Sequence, residues 1–280
     1  MTCWLAACSQ QEVQETTENG VYYWRTEWRL DSTERAFLRE HDIRRLYCRY
    51  FDVVIADGEP MPNATITFSD SLPKGIEVVP TVYVTEEVMH QKHEGLAAKI
   101  ADRIRQMNET NDIAGVSEIQ IDCDYTARSR QNYYEFLDEL KKSTAFGQHF
   151  SRLSATIRLH QLQMAPPPVD YGVLMLYNTG DPRRFMQRNP ILDLRDVQPY
   201  VRYLADYELP IAAAYPVYRW LRTLQGIPVE HVVEADEILS VKKVVERQRH
   251  DLRQRIVTYH LDKENINRYD ETTYEAIYHH

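Results

Sequence analysis

The run Gly115-Val116-Ser117-Glu118-Ile119-Gln120-Ile121-Asp122-Cys123-Asp124-Tyr125 constrains the fold more than any other stretch of this 280-residue chain. Ile119, Ile121 and Cys123 share one face of a period-two strand, and Glu118, Gln120, Asp122 and Asp124 share the other. Thr126 follows as an N-cap, and Tyr133, Phe136, Leu137 and Leu140 recur at helical spacing, so the strand feeds directly into an amphipathic helix. That is half of a βα unit. In parallel α/β folds helices cover the outside of the sheet, so the apolar set faces a helix. The carboxylates then face inward, toward the strand end where sites are built.

The same alternation recurs on both sides. Val21 to Trp28 is a first strand, followed by a capped helix start, Asp31-Ser32-Thr33-Glu34, and the apolar Ala36, Phe37 and Leu38. Arg44 to Val54 is a second strand, and Glu59 to Ser69, with two prolines, is an irregular hairpin or loop excursion. Ile76 to Thr85 is a third, in which Pro80 requires a bulge or entry kink; the helix after it aligns Leu96, Ile100, Ile104 and Met107. The acidic strand is fourth. Leu153 to His160 is fifth, with Ser154, Thr156, Arg158 and His160 opposite its apolar face. Pro166-Pro167-Pro168 leads into a sixth strand, Gly172 to Asn178, and a helix over residues 192–207. Pro210 to Tyr215 is seventh, followed by a helical Tyr218 to Leu224, a short strand or loop at Pro228 to Val233, and a helix aligning Ile238, Val241 and Val245. Arg255 to Leu261 is eighth, and residues 269–280 form a closing helix. Eight strands alternating with helices predict a single (β/α)8 TIM-type barrel over residues 21–280. A doubly wound open sheet is the rival, and the glycine-rich turn of a dinucleotide fold is missing.

Forty-two acidic against thirty-three basic residues give a formal charge of −9, so no phosphate-attracting field marks nucleic acid as a partner. Nineteen tyrosines and four tryptophans offer platforms on which sugars stack, favouring a carbohydrate ligand. Cys48 and Cys123 fall inside strands as buried thiols, and no paired-cysteine spacing marks a zinc site or disulfide framework. Glu118, Asp122, Asp124, His160 and His260 carry metal-ligand chemistry, but no two histidines share the spacing that makes zinc specific; neither metal nor cofactor is expected.

Residues 1–20 have a different character. Leu5-Ala6-Ala7-Cys8 resembles the lipobox of bacterial lipoproteins, with Cys8 the lipidated residue, although a charged n-region and most of the apolar h-region are missing. The polar residues 9–20 have the composition of a flexible tether. This reading places a soluble globular domain at the bacterial cell envelope, touching the membrane only through a lipid on Cys8.

In a barrel the strand ends converge, making Asp122, Asp124, Arg158, His160, Tyr177 and Asn178 neighbours. Paired carboxylates on one strand face shift each other's ionisation, which is how a general acid is kept protonated. Equally, a cluster neutralised by Arg158 or by Arg49 needs no catalytic duty. Ser117 to Tyr125 resembles the strand-four signature of chitinase-type family-18 glycoside hydrolases, D-G-x-D-x-D-x-E-Y, and Met175-Leu176-Tyr177-Asn178 is similar to their strand-six M-x-Y-D. The two matches cover strands four to six. The chain as a whole also resembles a group of bacterial lipoprotein barrels related to these enzymes, with a degenerate catalytic motif.

The resemblance implies Asp124 as general acid and Asp122 as its supporting carboxylate, with Tyr177 assisting a substrate N-acetyl group that attacks the anomeric carbon. Gln120 and Asn178 replace family aspartates, and Asp124 replaces glutamate. A side chain one methylene shorter sits roughly 1.5 Å further from the glycosidic oxygen, and misplacement by ~1 Å can cost about a hundredfold in rate. Glu118, Gln120, Arg158, His160, Met175, Tyr177, Asn178, Trp24, Arg49 and His260 complete the candidate substrate-binding set. Three functions fit: an acid-catalysed glycosidase, a non-catalytic glycan-binding barrel, and an envelope scaffold unrelated to sugars.

Overall fold

A computed structural model describes residues 18–279 except 182, 184–186 and 225–226. Cys8 and the rest of the lipobox-like stretch lie outside the described residues.

In chain order, β1 (Glu18–Tyr23) and β2 (Glu27–Trp28) precede α1 (Ser32–Glu40), whose start is held by a reciprocal capping box between Asp31 and Glu34. β3 (Ile43–Ala56) turns through Asp57 and Gly58, both at positive φ, into the antiparallel β4 (Glu59–Asn63); an Asp-Gly pair suits such a hairpin turn. β5 (Thr67–Phe68), β6 (Glu77–Val84), α2 (Leu96–Thr110), β7 (Glu118–Asp122), α3 (Arg130–Lys142), α4 (Thr144–His149), β8 (Arg152–Ile157) and β9 (Tyr171–Met175) follow. Then come α5 (Leu194–Val201), β10 (Ile211–Pro216), β11 (Arg219–Leu224), β12 (Ile227–Val232), α6 (Ala235–Gln248), β13 (Arg255–Tyr259), α7 (Lys263–Ile266) and α8 (Glu271–Tyr278).

Eight strands run parallel in the order β1-β13-β10-β9-β8-β7-β6-β3, and β1 pairs with β3 to close the ring. This is the expected (β/α)8 barrel, and the excursion after its second strand is the β3–β4 hairpin with β5. Helical apolar faces, such as Tyr133, Phe136, Leu137 and Leu140 of α3, are buried on the outside of the strands. Gly172 marks a close approach: a Cβ there would meet Ile157 Cγ1 at 2.7 Å.

Several local expectations are corrected. Residues 219–224 and 227–232 form an antiparallel hairpin in place of the expected helix and loop, with Trp220 and Arg222 alternating against exposed Leu221 and Thr223. The first barrel strand starts at Glu18, inside the expected tether, and breaks before Trp28, which pairs with Phe68. Pro80 sits in an unbroken β6; the register shift lies opposite, between Arg49 and Phe51 of β3. Thr126 caps a turn at Arg128, and helix α3 begins only after Ser129.

Candidate active site

The inward face of β7 divides into three levels. At the strand's start Glu118 is wholly buried: Arg45 Nη1 donates to it at 2.8 Å, Ser154 Oγ at 2.6 Å, and the Tyr171 hydroxyl also donates. Arg45 and Arg152 reach Glu77 as well, so the floor of the barrel is a closed network of charges. Glu118 therefore lies at the opposite end from any ligand entering at the C-terminal ends of the strands. One level up, Gln120 accepts from Tyr22 Oη at 2.8 Å and Thr81 Oγ1 at 3.3 Å, also without exposure. It packs the barrel centre.

At the third level Asp122 remains only 2% exposed, accepting from Thr156 Oγ1 at 2.6 Å, with Arg158 Nη2 at 3.6 Å. Burial pushes its carboxyl up to about 6; Asp124 and Asp52 add to the rise, while Arg158 and Thr156 oppose it. Asp124, just past the strand, has a side chain 46% exposed and accepts from Arg158 Nε. Burial works against the Arg158 charge, but Asp122 and Asp124 together hold its pKa above the ordinary value. One guanidinium thus spans both carboxylates.

Asp124, Arg158, His160, Met175, Tyr177 and Asn178 line one cavity of about 290 Å³. Six of the sequence-derived candidates therefore meet, with Asp122 beneath them. His160 is exposed on the rim, its Nε2 3.2 Å from Tyr125 O. Asn178 stands at φ +53, a conformation asparagine tolerates, with its Oδ1 accepting from Tyr218 Oη at 2.5 Å. The Tyr177 hydroxyl is buried with no hydrogen-bond partner among the described residues, and burial holds it protonated as a donor.

The remaining candidates lie across the mouth. Arg49 is ion-paired with Asp52 and sits 5.7 Å over the Trp24 ring, and Trp24 lines a different cavity. His260 turns away, its Nε2 3.4 Å from Asn265 Nδ2, because strand alternation gives the inward position to Tyr259. Tyr259 stacks on Tyr177 at 4.6 Å and meets Trp24 at 5.9 Å and Tyr218 at 5.3 Å. Tyr259, Tyr218, Thr156 and Tyr83 are absent from the sequence-derived set. Tyr83 pairs in register with Asp122 and is pushed up to about 12, first by burial and then by Asp124 and Asp122. Three of these four are open to the period-two rule: Thr156 shares Arg158's face, Tyr83 shares that of Thr81, and Tyr259 precedes His260 on the opposite face of its strand.

No protein-family model matches the chain, and no curated protein matches it in sequence. Solved structures do. A chitinase from Bacteroides thetaiotaomicron superposes with a TM-score of 0.58 at 12% identity, over 90% of this chain and 93% of that one. The spore cortex-lytic enzyme of Bacillus megaterium QM B1551 gives 0.55 at 12%, over 88% and 71%. A xylanase-α-amylase inhibitor protein solved with trehalose gives 0.52 at 11%, over 93% and 97%. These likenesses show the fold: a (β/α)8 barrel shared with the two enzymes and with the inhibitor protein.

Proposed function

We propose that this barrel binds a glycan in the cavity above Asp122 without hydrolysing it. One observation carries the reading: Arg158 bridges Asp122 and Asp124. A general acid must both hold a proton and reach the glycosidic oxygen. Asp122 is the carboxyl whose pKa is raised, yet it is buried beneath the cavity. Asp124 reaches the cavity, yet it is engaged by a guanidinium and is one methylene shorter than the glutamate of the hydrolase pattern. Proton and reach are divided between two residues. Tyr177, Asn178, His160 and the free edge of Asp124 remain to bond sugar hydroxyls, beside the Tyr259 and Tyr218 rings. The trehalose-bound relative, named as an inhibitor protein, supports a sugar-binding barrel of this fold outside hydrolysis.

Hydrolysis of an N-acetylated glycan is the second reading, favoured by the raised Asp122 and by a Tyr177 hydroxyl without a partner among the described residues, both of which a substrate-assisted mechanism uses. Titration calorimetry and reducing-end release with N-acetylated oligosaccharides separate the two. Binding without turnover is expected, with Tyr177→Ala weakening binding. Turnover by wild type that disappears in Asp124→Asn would replace binding by hydrolysis.

We also propose that the protein is held at the bacterial envelope by a lipid on Cys8. The first described residue, Glu18, begins β1 on the barrel floor, opposite the cavity. Incorporation of labelled fatty acid that Cys8→Ala abolishes is the expected result, and unchanged labelling ends the proposal. No helix among the described residues is long and apolar enough to cross a membrane.

A further inference from the structure

A second, larger cavity of about 660 Å³ opens on the same end of the barrel. Trp24 and Arg29 border it after β1, and Asp262 and Lys263 after β13. Half-buried aromatic rings join it to the first cavity. Trp24 of the second meets Tyr259 at 5.9 Å, and Tyr259 stacks at 4.6 Å on Tyr177 of the first. These two steps are spanned by about three residues of extended chain at ~3.4 Å each.

The chemistry of the second cavity differs from that of the first. Several of its charges are committed: Arg25 pairs with Glu34 at 2.9 Å, Asp31 caps α1 and Asp262 caps α7. Glu27 and Arg29 are exposed, with no side-chain partner among the described residues. Lys263, 61% exposed, has its carboxylate Asp31 only at 3.8 Å. Among the described residues, one unpaired charge of each sign, Glu27 and Arg29, and the loosely paired Lys263 therefore border one cavity. A polyanion would meet Glu27 there, and a polycation would meet Arg29 and Lys263. A chain carrying both carboxylate and amine groups satisfies the set.

We propose that the glycan recognised by this barrel bears a short, mixed-charge peptide branch. The sugar occupies the cavity at Asp124 and Tyr177, and the branch crosses the Tyr259–Trp24 sill to the charges at Glu27, Arg29 and Lys263. This rests on the glycan-binding reading above and names its ligand class.

The test compares two probes at low ionic strength by calorimetry: an N-acetylated disaccharide, and the same disaccharide carrying a tetrapeptide with a free amine and a free C-terminal carboxylate. The branched probe is expected to bind at least tenfold more tightly, an advantage that shrinks with added salt. The double variant Arg29→Ala/Lys263→Ala, at exposed positions, is expected to remove the difference between the probes. Equal affinities in wild type, or an advantage that survives the double variant, overturn the branch proposal while leaving sugar binding intact. Failure of the bare disaccharide to bind at all instead overturns the glycan reading itself.

Discussion

The two ends of the barrel use the same ingredients to opposite effect. At the floor, two arginines and two glutamates meet with Tyr171, Tyr47 and Ser154, and each Glu118 oxygen has donors. At the mouth, two aspartates share one arginine, a tyrosine hydroxyl has no partner among the described residues, and a cavity opens above. Both ends draw on the inward face of one strand, β7. A polar strand face alone therefore does not distinguish a structural plug from a site; satisfied hydrogen bonding does.

The sharpest way to break this contrast is to delete one cation at each end. Arg45→Met leaves Glu118 buried with its main counter-charge gone, and a loss of about 3–5 kcal/mol is expected. Arg158→Met exposes a softer arrangement, since Asp124 can be hydrated and Asp122 can take up a proton; about 1–2 kcal/mol is expected. Urea unfolding with unchanged m-values measures both. Equal losses would mean the mouth is as structural as the floor.

A second, somewhat smaller effect concerns pH at the mouth. Because the folded pKa of Asp122 is raised from 3.8 to about 6, the folded protein holds a proton that the unfolded chain releases within this window. The stability contributed is present in full below the lower value and is lost as pH rises through the upper one. At roughly 2 units the swing is at most about 3 kcal/mol. Asp122→Asn removes it, so the stability difference between wild type and variant should vary between roughly pH 4 and 6 and be flat above. A difference that is flat throughout would show Arg158 offsetting the burial completely.

Much of this was legible in the chain, for local reasons. Strand-prone runs alternating with helix-prone ones located all eight barrel strands, and period-two patterning assigned the inward faces of the fourth and fifth. The grouping of Asp124, Arg158, His160, Tyr177 and Asn178 at one cavity follows from strand ends converging, with Asp122 beneath, while Met175 comes from the resemblance to the strand-six pattern. Glu118 was misplaced because alternation reports the face of a strand and not the height along it. His260 carries the more obvious chemistry, yet the strand's parity assigns the ring at 259 to the mouth. The hairpin at 219–232 escaped because Trp-Leu-Arg-Thr-Leu fits either period over so short a run, and pairing with the next segment decided it.

The smallest expected effect is the most discriminating, because it compares one chemical change at both ends. Tyr171 donates to Glu118 and accepts from Arg45 Nη1 at 2.5 Å, with Tyr47 Oη 3.0 Å away. Removing that hydroxyl strands charged partners, so Tyr171→Phe should cost about 1.5–3 kcal/mol of stability. Tyr177→Phe deletes a hydroxyl with no hydrogen-bond partner among the described residues, and its stability should stay within about 0.5 kcal/mol of wild type or rise slightly. Its cost should appear only with ligand, as a loss of about 0.5–1.5 kcal/mol in glycan affinity, the contribution of one neutral hydrogen bond. Thermal melts with and without an N-acetylated oligosaccharide read both quantities. A Tyr177→Phe protein that melts early without ligand would mean the hydroxyl is structural, and the mouth would then belong with the floor.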